Sequence, residues 1–291
     1  MSLYVVAGAT GHIGSVVAHE LAKRGEKVRA IVRSEAKGAS LKTAGVELAV
    51  GSIDDAAFLT TALTGADGAF LLLPPEMTAP DVRAYQRRVV DVIAKAVEAS
   101  GIKHVVFLSS LGAQHDSGTG PILGLHWAEQ ALAKTKAYIT SMRAANFAEN
   151  LLGMLPAAKG GGILPNFQRE DFGSPVIATK DIGHAVVEEL LHPAHKSEIV
   201  DVVGPTEHKP SDMAKALSEA LGKPIQLMSV PAEGHVGAMQ HAGFSQHVAE
   251  LYAEMYHGLN LGKIVPGGAH RTVKGKTSLL EVLKNAIAPH A

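Results

Sequence analysis

The sequence predicts a doubly wound α/β fold built on a parallel sheet, with a smaller α+β lobe after it. Three observations carry this expectation. Short β-rich runs alternate with helix-length stretches up to about residue 150, and parallel strands need such crossover connections. A glycine cluster, Gly8-Ala9-Thr10-Gly11-His12-Ile13-Gly14, joins the first run to the first helix. Beyond about residue 150 the alternation loosens, and Gly-Pro punctuation appears inside the second half.

Each element follows from spacing and stop signals. Leu3 to Ala7 reads as the first strand, and Ser15 to Arg24 as a helix with Val16, Val17 and Leu21 at helical spacing and Gly25 to stop it. Val28 to Val32 is the second strand, Glu35 to Thr43 a helix closed by Gly45, and Val46 to Val50 the third strand. Ala56 to Leu63 is helical up to Gly65. Gly68 to Leu73 is a fourth strand halted by Pro74-Pro75, and Ala79 to Ser100 a long amphipathic helix ending at Gly101. Val105 to Leu108 is the fifth strand, Pro121 opens a helix over 122–134, and Tyr138 to Met142 is the sixth strand. Further on, Gly160-Gly161-Gly162 marks a turn, Asp181 to Leu191 a helix begun by an acidic cap, and Ile199 to Val203 a strand ended by Gly204-Pro205. Ser211 to Leu221 is another capped helix before Gly222, Ile225 to Val230 a strand, and helices are expected around 232–241, 245–257 and 277–287. The chain thus divides into a sheet domain at 1–150, able to recruit strands from 175–203, and a smaller substrate or partner lobe at 151–291 packed on the sheet edge.

Composition removes several classes. With 27 basic against 28 acidic side chains, the chain lacks the excess of Lys and Arg that a general nucleic-acid or polybasic membrane binder needs. Zero cysteines exclude disulfides, thiolate metal sites and a cysteine nucleophile. The longest apolar runs, such as Ala69-Phe70-Leu71-Leu72-Leu73, are too short to span a bilayer, and the start lacks the basic flank of a signal peptide. A soluble, cytoplasmic, enzyme-sized protein is expected. Fifteen histidines include no His-Glu-x-x-His, and His192 and His195 flank a proline in a loop-like stretch, so no metal site is expected. Leu108-x-Ser110-x-Gly112 lacks the first glycine of a nucleophile elbow.

The glycine cluster is the strongest motif. Between a strand and a helix, Gly8, Gly11 and Gly14 allow a tight turn and a close approach of backbone N–H groups to a pyrophosphate, with Thr10, His12 and Ile13 between them. The spacing Gly-x-x-Gly-x-x-Gly departs from the commonest Rossmann fingerprint, Gly-x-Gly-x-x-Gly. At the end of the second strand, where an acidic residue binds the ribose hydroxyls of NAD, stands Arg33, with Lys37 one turn further on. A guanidinium clamps a phosphate, so NADPH is expected over NADH.

The loop Gly-Ala-Thr-Gly-His-Ile-Gly, the Arg33 position, Leu108-Ser-Ser-Leu-Gly112 and the run Ser141 to Asn150 together resemble the NmrA-like branch of the atypical short-chain dehydrogenase/reductases. The similarity continues through Ala178-Thr-Lys-Asp-Ile-Gly183 and a lobe starting near Gly204-Pro205. The resemblance implies either a quinone, azo-dye or isoflavone-type reductase or a catalytically silent redox sensor. Orthodox members of the superfamily use Tyr-x-x-x-Lys, in which the phenol protonates a carbonyl as hydride arrives. The five tyrosines, Tyr4, Tyr85, Tyr138, Tyr252 and Tyr256, are followed four residues later by Gly8, Val89, Met142, Tyr256 and Asn260, none of them lysine.

The resemblance implies cofactor contacts at Ser52, Ile53, Leu73, Ser109 and Asn146, and acceptor contacts at Phe147 and Asn150. His126 and Ser110 are the candidate catalytic side chains, His126 as proton donor or polar anchor. Local roles stand beside these: His126 as a locally bonded histidine, Ser110 as a capping hydroxyl, Phe147 and Trp127 as core, Asp54 or Asp55 as a helix cap. Two functions are expected to compete. One is hydride transfer from NADPH to a small conjugated acceptor. The other is an NADP(H) sensor with a protein partner, which an exposed apolar patch on the 232–257 helices would favour.

Overall fold

The computed structural model describes residues 1–288. In chain order it runs β1 (Leu3–Val6), α1 (His12–Lys23), β2 (Lys27–Val32), α2 (Ala39–Thr43), β3 (Glu47–Val50), α3 (Ala56–Leu63), β4 (Gly68–Leu72), α4 (Val82–Ser100), β5 (His104–Ser110), α5 (Leu123–Leu132) and β6 (Tyr138–Ala144). The second half adds β7 (Asn146–Phe147), α6 (Leu155–Gly161), β8 (Ile163–Asn166), β9 (Ser174–Ile177), α7 (Thr179–Leu191), β10 (Glu198–Val203) and β11 (Glu207–His208). It closes with α8 (Pro210–Leu221), β12 (Gln226–Ser229), α9 (His235–His241), α10 (Gln246–Asn260), β13 (Arg271–Lys274) and α11 (Leu279–Ile287).

Eight strands form one sheet in the order β13-β10-β6-β5-β4-β1-β2-β3, and every pairing within it is parallel. The order reverses between β1 and β4, which places a crevice at the carboxyl ends of those two strands. Both faces are covered, so successive residues of one strand enter opposite cores. Tyr4 and Val6 of β1 pack with α1 and α7 through Ile13, Val17, Ile182 and Val186. Val5 and Ala7 pack with α3, α4 and α5 through Leu59, Val89, Ile93 and Leu132. The smaller lobe has its own core, with Leu164, Val176, Leu217 and Leu283 at its centre, and two small sheets, β11-β9-β7 and β12-β8.

Several elements differ from the sequence expectation for physical reasons. The helix expected over Glu35 to Thr43 splits into a 3-10 turn at Ala36–Gly38 and the short α2. Asp181 does not cap α7, which begins at Thr179. The first N–H of that helix is taken instead by Glu149, whose Oε1 accepts from Thr179 N at 3.0 Å and from Thr179 Oγ1 at 2.6 Å. Asp181 ties down the chain after β13, accepting from the N–H groups of Lys276 and Thr277 at 2.7 Å each. Ser211 lies inside α8, where Asp212 reaches back to the N–H of Lys209 at 2.9 Å.

His104 supplies a pH test of the sheet. It is buried in β5 with Nε2 3.1 Å from Thr140 Oγ1, while its Nδ1 has no partner among the described residues. Burial, with a smaller push from His195, lowers its pKa from 6.5 to about 4. The unfolded chain therefore binds this proton more readily. Folding stability is expected to be full above 6.5 and to decline as pH falls toward 4. His104→Gln should flatten that decline in urea titrations at a series of pH values; an unchanged slope would refute the assignment.

Candidate functional site

The turn from β1 into α1 is shaped by backbone contacts that only glycine allows. Gly8 sits at φ 60°, a region where a β-carbon is strained. The N–H of Gly11 donates to Gly8 O at 2.8 Å and closes the turn. Gly14, in the first turn of α1, is packed so tightly that a Cβ there would stand 2.2 Å from Gly8 O and 2.9 Å from Ala7 O. No side chain caps α1: Gly11 is its N-cap and offers none. Gly8, Thr10, Gly11 and His12 are exposed, while Ile13 turns into the core. Free N–H groups at a helix N-terminus, with the partial positive charge of the helix dipole, fit a pyrophosphate.

The neighbouring strand ends extend this site. Arg33 leaves the end of β2 exposed, and its guanidinium has no ion pair or hydrogen bond among the described residues. Lys37 is exposed on the following 3-10 turn. Ser52 and Ile53, half-buried after β3, lie beside Asp54, whose carboxyl is held below its ordinary range by the Ser52 hydroxyl and then by Arg88. Asp55 is the helix cap, accepting from Ala57 and Phe58 N–H at 3.0 and 3.1 Å. Leu73 follows β4, half-buried against the second core. In the loop beyond it, hydrogen bonds from Thr78 lower the Glu76 pKa, with a weaker contribution from the charge of Arg33. The residues expected around the cofactor therefore line the carboxyl ends of adjacent strands β3, β2, β1 and β4.

At β5 and β6 the side chains are more committed. Ser109 is buried and donates to Glu129 Oε1 at 2.6 Å, leaving its hydroxyl turned from the edge. The Ser110 hydroxyl donates to Leu111 O at 3.0 Å. His126 on α5 has Nδ1 2.8 Å from Ala113 O. A carbonyl can only accept, so Nδ1 carries the hydrogen and Nε2 is the remaining ring nitrogen. Both catalytic candidates thus make local bonds. Asn146 accepts from Asn150 Nδ2 at 2.8 Å, and Phe147 packs on the first core. Trp127 packs on the second core beneath Arg87, whose guanidinium lies 3.5 Å from the ring centroid.

Two features were not expected from sequence. One is the buried pair of Glu129 and Arg143, joined at 2.6 and 2.9 Å, with Asp201 close by holding Gly267 N–H at 3.0 Å. Its signal was present: an arginine in the apolar run of β6 must find a partner when buried. Burial raises the Asp201 pKa, partly offset by the Gly267 N–H and by Arg143. The other is an aromatic group from three distant segments, Phe167, His235 and Tyr256. Two surface recesses of about 450 and 500 Å³ are present, one beside Glu35, Ala36 and Lys42, on the turn that follows Arg33, and one beside Lys95 and Lys134 between α4 and α5. Among the described residues no group of three His, Asp or Glu is arranged to hold a metal ion, and no helix is long and apolar enough to cross a membrane.

A parallel sheet in which β3-β2-β1-β4-β5-β6 are neighbours, with a glycine turn at its switch point, defines a Rossmann-type fold. The chain belongs to the NmrA-like family, whose model matches residues 2–263. It is 28% identical over 263 residues to an NAD(P)H azoreductase of Xenophilus azovorans, covering 87% of this chain and 86% of the relative. Quinone oxidoreductase 2 of Escherichia coli (strain K12) is 27% identical over 267 residues, covering 89% of each. Among solved structures, the E. coli NADPH-dependent quinone oxidoreductase complexed with NADPH superposes with a TM-score of 0.83 at 22% identity, over 98% of this chain and 100% of that one. The Citrobacter triphenylmethane reductase complexed with NADP(H) gives 0.80, also at 22% identity, over 98% and 100%.

Proposed function

We propose that this chain is an NADPH-dependent reductase delivering hydride to a quinone, azo compound or similar conjugated acceptor. The observation that carries the cofactor assignment is the turn at Gly8 to Gly14, a cradle that a Cβ would fill. Its uncapped helix N-terminus takes the pyrophosphate, and Arg33, without a partner among the described residues, takes the 2′-phosphate with Lys37 behind it. Ser52, Ile53 and Leu73 flank the adenine end; Asn146 and the backbone of Ser109 flank the nicotinamide end. Residues 1–150 supply most of this half, and the lobe from 151 onward closes the acceptor side.

When bound, NADPH supplies the hydride, which together with one proton from water converts a quinone to its hydroquinone and leaves NADP⁺. The chain's own part is to orient and to exclude solvent, because a conjugated acceptor spreads the incoming electron pair and needs no strong acid beside it. That agrees with the carboxyl edge, where Ser109, Ser110 and His126 each make a local bond and no tyrosine is followed at the fourth position by lysine. His126 Nε2, Phe147 and Asn150 are the groups assigned to the acceptor. In the stretch 232–257 only Phe244 stands among the exposed large apolar side chains, and it stacks on Tyr252 at 5.5 Å, so no broad patch for a protein partner supports the sensor.

The test is titration with NADPH and NADH followed by NADPH oxidation assays against quinones and azo dyes. Turnover is expected; tight NADPH binding with turnover on no acceptor would replace the reductase by a sensor. Arg33→Ala should weaken NADPH by about 10- to 100-fold, the worth of a charge-assisted phosphate contact. NADH, which lacks that phosphate, should change little. Equal losses would sink the 2′-phosphate assignment.

A further inference from the structure

A polar row crosses the carboxyl end of the sheet. The register places Ser109 of β5 beside Arg143 of β6, and Arg143 beside Asp201 of β10, so all of them stand on one face, the face that α5 covers. They are buried, one residue short of the last paired row, Ser110 with Ala144. Two positions back along β5 the same face carries Phe107, in an apolar core shared with Ala128 and Leu132 of α5. Glu129 reaches the polar row from that helix. Helical side chains lean toward the helix N-terminus, and α5 starts at the carboxyl edge, after the loop that follows β5, so the carboxylate leans toward the strand ends. It accepts from Ser109 Oγ at 2.6 Å and from Arg143 Nε and Nη2 at 2.9 and 2.6 Å. One carboxylate thus holds α5 to two adjacent strands.

These bonds lead to the groups assigned to the reaction. Ser109 supplies the backbone at the nicotinamide end. His126 precedes Glu129 by three residues on the same side of α5, and its Nδ1 is held by Ala113 O at 2.8 Å. After Arg143, Ala144 O accepts from Leu111 N–H at 3.0 Å, Ala145 N–H donates to Val202 O at 2.9 Å, and Asn146 follows. A shift at Arg143 is therefore carried to Asn146. Apolar contacts of Ala128 and Leu132 keep α5 on the sheet but have no preferred direction. A bidentate guanidinium–carboxylate fork has one. Apolar residues of similar size would often serve stability as well as a buried ion pair, so stability alone does not account for charge at this place.

We propose that Glu129 and Arg143 are positioning residues for hydride transfer: their fork sets the separation between the nicotinamide end, at Ser109 and Asn146, and the acceptor end, at His126. Both ends are those of the reductase reading, on which this inference rests. Neither side chain touches the reacting atoms. A misplacement of about 1 Å costs on the order of 100-fold in rate, while each molecule keeps the contacts that bind it. The loss belongs to the hydride step and not to affinity.

The experiment mixes protein preloaded with NADPH with saturating menadione and follows NADPH absorbance through a single turnover; calorimetry gives NADPH affinity and steady-state assays give KM. Glu129→Leu/Arg143→Met should slow the hydride step about 100-fold, with NADPH affinity and KM within about threefold of the wild type. If that variant does not fold, Glu129→Gln is measured in its place, with a fall of about tenfold expected. Arg271→Met is the control. Its guanidinium bonds Glu198 at 3.1 Å and Glu189 at 2.6 Å, at the amino end of β10, so its loss should lower stability and leave the hydride step unchanged. Hydride transfer at the wild-type rate in the folded variant overturns the proposal and leaves the reductase intact. A loss confined to NADPH affinity or KM also overturns it and makes the pair a binding group. Equal slowing in Arg271→Met overturns it as general loosening. If the wild type oxidises NADPH with neither menadione nor any other quinone or azo dye, the reductase reading has failed first, and the positioning role falls with it.

Discussion

Glu129→Ala is expected to cost about 3–5 kcal/mol of folding stability, the usual penalty for stripping the partner from a buried charge. The Glu129 and Arg143 side chains are 8% and 5% exposed. Two guanidinium bonds, at 2.9 Å from Nε and 2.6 Å from Nη2, fix them in a fork, and the Ser109 hydroxyl at 2.6 Å satisfies a further lone pair. Alanine would leave Arg143 with only a 3.5 Å contact to Gly267 O and the charge of Asp201. It would also orphan the Ser109 hydroxyl. Urea unfolding of the variant measures the loss, and a change below about 1 kcal/mol would show that water or Asp201 compensates. Glu129→Gln should fall between, because its single amide oxygen can still accept from Ser109 and Arg143 Nε, while the charge is lost and its NH2 group stands against Arg143 Nη2. The double variant Glu129→Leu/Arg143→Met should lie near the wild type, since a buried ion pair replaced by apolar groups of similar size is often neutral. The pair therefore reports on position more than on net stability: it bridges α5 to β6, and Arg143 and Asp201 together hold Gly267 against the sheet.

The first half of the fold is legible because burial dictates its pattern. Strands β1, β2, β4 and β5 run through the covered middle of the sheet, so each reads as a largely apolar run between stop signals, whereas β3 at the edge is half-exposed. The phosphate turn is equally legible, since both its glycines and its place between strand and helix lie within a dozen residues. Legibility ends where the reason for an element is remote. Strand β13, Arg271–Lys274, is the outermost of the large sheet and mostly exposed, so no alternation marks it. Strands β8 and β9 each contain a proline, Pro165 and Pro175, which argues against a strand when read locally. The start of α7 depends on Glu149, thirty residues earlier. Likewise Phe167, His235 and Tyr256 carry no shared spacing; only the crossing of α10 over the sheet edge brings them together.

Gly14→Val should abolish binding of NADPH and NADH together, by more than about 100-fold each, and cost stability as well. A Cβ at position 14 would lie 2.2 Å from Gly8 O and 2.6 Å from Gly8 C, backbone atoms that cannot rotate away. Helix α1 would have to lift from the turn, at an overpacking cost of about 1–3 kcal/mol, and its N–H groups would leave the position where they meet the pyrophosphate. Gly11→Ala separates the two consequences. Its backbone, at φ −94° and ψ 176°, suits any residue, and its Cβ would meet only Gly8 O at 3.3 Å. That variant should melt close to the wild type yet bind both cofactors more weakly, because the methyl group stands where the pyrophosphate approaches the helix N-terminus. Thermal melts and cofactor titrations of the two variants decide the matter. A Gly14→Val protein that melts normally and binds NADPH would show that the turn is not the cradle. Loss of NADPH alone, with NADH retained, would move the phosphate contact away from the turn and leave Arg33 as the only anchor.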